Sequence, residues 1–185
     1  MNPTEITFQN KSKNKQKEYK QVYSRSLITE SISLSIIHVG RNLKQTLETT
    51  ISSMVEEKCI VEGYVKPKSV KLITHSSGVI KGDKIIFDIV YECEVCFPVS
   101  GMLLNCIAKN ITKAGIRAES SDETPSPFVL FVARDHYFSN EYFNSIKEND
   151  KFVARIIAQR FELNDKYISI IAEIVLPKDK DYRKK

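Results

Sequence analysis

Seven apolar side chains, Ile85, Phe87, Ile89, Tyr91, Cys93, Val95 and Phe97, occupy every second position of a thirteen-residue stretch. Period two is the mark of a strand with one buried face. At ~3.3 Å per residue this strand runs for ~43 Å, a length that suits a long, strongly bent strand. An all-helical fold is excluded. Shorter runs of the same kind precede it. Ile28, Ile32, Leu34 and Ile36 sit among Ser, Thr and Glu up to Gly40. Cys59 to Val65 is stopped by Pro67, and Val70 to Thr74 leads into a turn at Ser76-Ser77-Gly78. One amphipathic helix lies among them, with Leu43, Leu47, Ile51 and Met54/Val55 at helical spacing. Asn42 is its expected cap, Gln45 the capping-box partner, and Lys58 the approximate end.

After Pro98 and Gly101 a second unit begins. Leu103 to Ile111, a bulge or close backbone approach at Ala114-Gly115-Ile116, and Phe128 to Ala133 read as strands with an exposed loop over 120–127. A helical turn is expected within Ser139–Lys147. Lys151 to Phe161 and Tyr167 to Leu176 are two further strands joined by a turn at Glu162–Asp165. Five short strands in this span suit a small closed Greek-key barrel. The fold class is therefore α+β: a helix on an antiparallel sheet, followed by a barrel.

Composition bounds the function. The chain has 185 residues, 42% of them apolar and 28% charged. That fits one domain or two small ones, and excludes a disordered chain. No apolar run approaches ~18 residues, so no membrane span is expected. The N-terminus lacks the apolar segment of a secretory signal, which predicts an intracellular protein with reduced cysteines. The net charge of +5 invites a nucleic-acid reading. Residues 1–26, however, hold six basic and two acidic side chains, and residues 177–185 hold five basic and two acidic. Both ends read as basic, disordered tails on a slightly acidic body.

Several separated segments stand in a familiar order. They are His38-Val-Gly-Arg-Asn-Leu-Lys-Gln45, Val55-Glu-Glu-Lys-Cys59, Gly63-Tyr-Val65, Ser77-Gly-Val-Ile80 and Tyr91 to Gly101. Asn110 to Glu119, Glu148-Asn-Asp150, Arg155 to Arg160 and Asn164-Asp165 follow. Together they resemble the stalk subunit of multisubunit DNA-directed RNA polymerases, the family of the seventh subunit of eukaryotic polymerase II and its archaeal counterpart. The degree of divergence looks closer to forms from large DNA viruses. The resemblance covers about residues 27–176. It implies a tip domain at 27–100 that docks on the polymerase core, and an OB barrel of the ribosomal S-one type at 101–176 that faces emerging RNA. It implies a noncatalytic subunit without cofactor. The partners would be the large core subunits, a smaller helical stalk protein and nascent RNA. The compartment would be the nucleus for a cellular form, or host cytoplasm and virion for a viral one. Two departures stand out. Asn149 replaces a common glycine, which Asn tolerates in left-handed geometry. Arg117 stands where relatives often carry an aromatic, which weakens a base-stacking platform.

Candidate sites follow. Lys109, Lys113 and Arg117 are spaced by four with no acidic residue between Asn105 and Ala118, so an unbroken strand would put them on one face. Arg134, His136 and Tyr137 could extend that face toward a phosphate backbone. The bland alternative is a solvated strand surface, which an OB sheet needs in any case. The barrel carries nine basic and ten acidic residues, which predicts weak, salt-sensitive binding. In the first unit the resemblance makes Ile73, His75, Ser76, Gly78, Val79 and Ile80 a docking loop; the alternative is an ordinary hairpin. Cys93-Glu-Val-Cys96 has the CxxC form, but no second pair exists. Residues three apart on a strand also face opposite sides, so buried strand cysteines are expected rather than a metal site. Asp135-His136 near Ser139 lacks a nucleophile elbow, and no glycine-rich phosphate loop exists. The main alternative to a polymerase stalk subunit is a free-standing OB RNA-binding protein, such as a translation factor. A third reading is a stalk scaffold without RNA contact.

Overall fold

The computed structural model describes residues 22–137 and 139–176. Most of both expected basic tails, residues 1–21 and 177–185, lies outside the described residues. The first unit contains β1 (Tyr23–Ser35), a 3-10 turn (Ile36–His38), α1 (Leu43–Val55) and β2 (Cys59–Ile60). It continues with β3 (Gly63–Val65), β4 (Lys71–His75), β5 (Val79–Lys81) and β6 (Lys84–Cys96). The alternating stretch is the spine of this unit. β6 pairs antiparallel with β1 over the whole length, from Tyr23↔Cys96 to Ser35↔Lys84, while β5, β4 and β3 take turns along its other edge. Phe87, Ile89, Tyr91, Cys93 and Val95 are buried, and they pack with Leu47, Ile51 and Val55 of α1. Each such side chain contributes roughly 1.5–3 kcal/mol of burial.

Three local expectations are corrected. Strand β1 starts at Tyr23, so residues 23–26 are sheet and not tail; the full-length pairing with β6 holds them. Asn42 stands at the helix N-cap, but its side chain makes no capping bond there. Helix α1 ends at Val55, before Lys58, because Glu57 turns to φ 59 and Lys58 Nζ donates to the carbonyls of Ser53 and Met54.

The second unit contains β7 (Leu103–Ile111), β8 (Gly115–Ser120), β9 (Phe128–Ala133) and a 3-10 turn (Arg134–His136). Helix α2 (Glu141–Ser145), β10 (Lys151–Arg160) and β11 (Ile168–Ile174) complete it. These five strands close as a barrel in the order β7-β8-β9-β11-β10, with β9 and β11 parallel and the other pairs antiparallel. Such a barrel is compatible with an OB type. Leu104, Cys106, Ile116, Phe128, Leu130, Phe152 and Ile168 fill it. Asn149 sits at φ 70, in the left-handed conformation anticipated for it. Gly115 provides the close approach expected at Ala114–Ile116: an added Cβ would meet the Val132 carbonyl oxygen well inside 3.0 Å.

The two units share a seam. Cys59 N–H donates to Asp165 O (2.8 Å), and Asn164 N–H donates back to Cys59 O (2.8 Å). Tyr23, Cys59, Tyr64 and Cys96 pack into the same core cluster as the barrel side chains. Cys93 packs in the other cluster, under α1, so the CxxC pair does face opposite sides of β6. All four cysteines are buried. Desolvation pushes Cys59, Cys96 and Cys106 up to about 12 and Cys93 up to about 11, from 9.0. Two outcomes are expected. At pH 8 the native chain leaves all four thiols unmodified by iodoacetamide, and denaturant exposes all four. Stability is also pH-dependent: unfolded thiols ionise near 9.0 while folded ones stay protonated to about 11–12. The contribution is whole below pH 9 and declines as pH rises toward 12, so thermal midpoints measured from pH 8 to 11 fall.

Candidate functional site

Inside β7, Leu104, Cys106 and Ala108 point into the barrel. The register with β8 then slips between Ala108 and Asn110, which leaves Lys109 on a bulge. Lys113 sits in the turn between β7 and β8, and Arg117 stands on β8 opposite Asn110. The three basic residues are all exposed. The unbroken strand that would place them on one face does not exist, because the bulge and the turn interrupt it. Among the described residues none of the three makes an ion pair.

The other three candidates divide. His136 is exposed. Arg134 is tied into the fold: its backbone N–H donates to Ala114 O (2.9 Å), Nη2 to Thr112 O (3.3 Å) and Nη1 to Asn144 Oδ1 (3.1 Å), and its guanidinium lies 5.1 Å from the Phe143 ring, while its buried Nε has no hydrogen-bond partner. It pins the turn that carries Lys113. Tyr137 stacks on Phe143 at 5.1 Å, and its hydroxyl accepts from Ile174 N–H (2.9 Å). Both have structural work before any contact with a ligand.

The residue overlooked in the sequence is Phe131. It pairs with Arg117 across β8 and β9 and is 37% exposed, so a cation and an aromatic ring lie side by side on the barrel's outer face. Its signal was present: Phe128, Leu130 and Val132 face inward, which leaves Phe131 outward.

At the far end of the first unit the docking loop also divides. Ile73, Val79 and Ile80 are 47%, 68% and 69% exposed. His75, Ser76 and Gly78 instead build the loop. His75 lies edge-on to Phe87 with centroids 6.1 Å apart. Ser76 N–H donates to Asp88 O (2.8 Å), and Asp88 N–H donates to Ser76 Oγ (3.0 Å). Gly78 has φ +85, and a Cβ there would strike Ile85 and Phe87. Ile36 and Ile37 join this end, 49% and 80% exposed, because Ile36 N–H donates to Asp83 O beside the β5–β6 turn. Read as one more strand position, Ile36 gave no hint of this; the 3-10 turn takes it off the sheet. Ile36, Ile37, Val79 and Ile80 are thus four exposed apolar side chains near the β5–β6 turn, while Ile73 lies opposite the middle of β6.

A sheet unit with an exposed apolar end and a closed barrel with Arg117 beside Phe131 make up the chain. No known family profile matches the chain. The chain is similar, with 23% identity over 170 residues covering 83% of it and 82% of its relative, to the "Putative DNA-directed RNA polymerase subunit L376" of Acanthamoeba polyphaga mimivirus. This bears out the resemblance drawn from the separated segments, at the level of a diverged RNA polymerase subunit from a virus. No helix among the described residues is long and apolar enough to cross a membrane.

Proposed function

We propose that this chain is the noncatalytic stalk subunit of a viral DNA-directed RNA polymerase. The reading rests above all on the likeness to a viral polymerase subunit over more than four fifths of both chains. The apolar end of the first unit docks on the large core subunits, and the barrel presents Lys109, Lys113 and Arg117 to RNA leaving the enzyme. Lys113 and Arg117 act as mobile cations along a phosphate backbone, with Arg134 holding their turn in place. A smaller helical partner and a site of action in host cytoplasm and virion belong to the same reading. A free-standing RNA-binding barrel has no use for the exposed Ile36, Ile37, Val79 and Ile80.

Affinity purification of a tagged chain from infected cells is expected to recover the two largest polymerase subunits in stoichiometric amounts; recovery of the chain alone overturns the proposal. Within the assembled enzyme, the Lys113→Glu, Arg117→Glu double variant is expected to reduce crosslinking to nascent RNA by about tenfold at low salt, since each contact removed also places a like charge near phosphate. Undiminished crosslinking would favour the scaffold without RNA contact.

A further inference from the structure

The loop between β8 and β9 reads Ser120-Ser-Asp-Glu-Thr-Pro-Ser-Pro127. Of the six prolines in the chain, only Pro125 and Pro127 follow a hydroxyl side chain. A Ser or Thr directly before Pro is the acceptor that proline-directed protein kinases select. The fold separates the two acceptors. Ser126 is half-buried and fastens the loop: its Oγ accepts from Ser120 N–H (2.9 Å) and Phe128 N–H (3.4 Å) and donates to Phe128 O (2.6 Å). Thr124 is exposed, and among the described residues its hydroxyl makes no hydrogen bond. A kinase draws its acceptor segment out as an extended chain, and residues 121–127 belong to no strand or helix, so little has to unfold for Thr124 to be taken.

The surroundings suit the product. Pro125 lines a groove of about 790 Å³ where the end of α1 meets the β10–β11 turn, and Glu56, Glu57, Lys58 and Lys166 are its charged residues. Ile168 N–H donates to Pro127 O (2.9 Å), which sets Lys166 alongside the loop. The charges already present are mostly engaged. Lys58 Nζ donates to the carbonyls of Ser53 and Met54, and Glu56 accepts from Val70 N–H (3.1 Å). In the loop itself Asp122 accepts from Asn105 and Ser121, and Glu123 lies 3.8 Å from Lys66. Lys166 makes no ion pair among the described residues. We propose that Thr124 is a phosphorylation site for a proline-directed protein kinase, and that Lys166 receives the phosphate. Thr124 Oγ1 attacks the γ-phosphorus of ATP: the Oγ1–P bond forms, the bond to the β–γ bridging oxygen breaks, ADP leaves and the hydroxyl proton passes to the kinase's base. The new phosphate carries about −1.5 to −2 charge, and its oxygens accept from Lys166 Nζ. This ties the β8–β9 loop to the turn that bonds Cys59 across the seam. The site is independent of the polymerase reading.

The test incubates the full native chain with ATP and a purified cyclin-dependent kinase. One phosphate is expected, placed on Thr124 by fragment mass spectrometry, and Thr124→Ala should cut uptake about tenfold or more. Release by a protein phosphatase supplies the second measurement: the phosphorylated Lys166→Ala variant should lose its phosphate severalfold faster than the phosphorylated parent, because the cation that shelters the phosphate is gone. No uptake by the native chain, phosphate on Ser126 or elsewhere in place of Thr124, or equal release from parent and variant each overturn the proposal.

Discussion

A Val79→Asp, Ile80→Asp double variant is expected to fold normally and to lose the large polymerase subunits almost completely on purification. Both side chains are more than two thirds exposed in the free chain, so carboxylates there cost the fold little. In a docked complex each apolar side chain would contribute roughly 1.5–3 kcal/mol of burial. Removing both, and burying two unpaired charges instead, should cost at least ~4 kcal/mol, or about a thousandfold in affinity. The measurement is a pull-down from infected cells beside a melting curve of the purified variant. Unchanged core recovery at an unchanged melting point would move the docking surface elsewhere. Ile37→Asp, at the neighbouring turn, should act in the same direction with a smaller effect.

Gly115→Ala is the largest stability effect expected. Gly115 opens β8 opposite Ala133, and the Cβ of an alanine would collide with the Val132 carbonyl and with the Phe131 ring. A backbone carbonyl inside a closed barrel cannot rotate away without breaking ladder bonds on both sides. The loss should exceed ~4 kcal/mol, beyond the usual range for single substitutions, and should collapse soluble yield. Gly40→Ala is the control, since nothing lies within 4 Å of the added atom. Urea unfolding separates the two: Gly40→Ala keeps the parental midpoint and Gly115→Ala does not. A parental midpoint for Gly115→Ala would show that the barrel can open locally at this corner. Because Arg134 N–H bonds to Ala114 O and its side chain to Thr112 O, any such opening also releases the turn that carries Lys113.

Much of this was visible as pattern. The alternation from Ile85 to Val95 became the spine strand, which ends at Cys96 and leaves Phe97 47% exposed, and the helical spacing of Leu47, Ile51 and Val55 became the face under which Phe87 and Tyr91 pack. The CxxC pair followed strand parity, with Cys93 and Cys96 in different clusters. What failed was reasoning that needed an unbroken strand. Lys109, Lys113 and Arg117 are separated by a bulge and a turn, and neither can be read from spacing. Likewise Arg134 and Tyr137, basic and aromatic next to a strand end, looked like ligand contacts. The packing of α2 brings Phe143 and Asn144 against them and commits them to the fold.

Local periodicity is a property of neighbouring residues, so the sequence by itself determined the long strands and helix α1 and most of their buried positions, but not the strand start at Tyr23 or the turn at Ile36. It also determined that the positive surplus sits at the two ends. Which strands become neighbours depends on contacts between residues far apart in the chain, and only the tertiary structure decided those. It joined Ile36 and Ile37 to Val79 and Ile80, set Phe131 beside Arg117, and tied Cys59 to the Asn164–Asp165 loop across the seam of the two units. The net charge of +5, taken alone, pointed to a cationic nucleic-acid binder. Among the described residues the fold shows a more local arrangement: exposed Lys109, Lys113 and Arg117 on the barrel, and exposed Ile36, Ile37, Val79 and Ile80 at the end of the sheet.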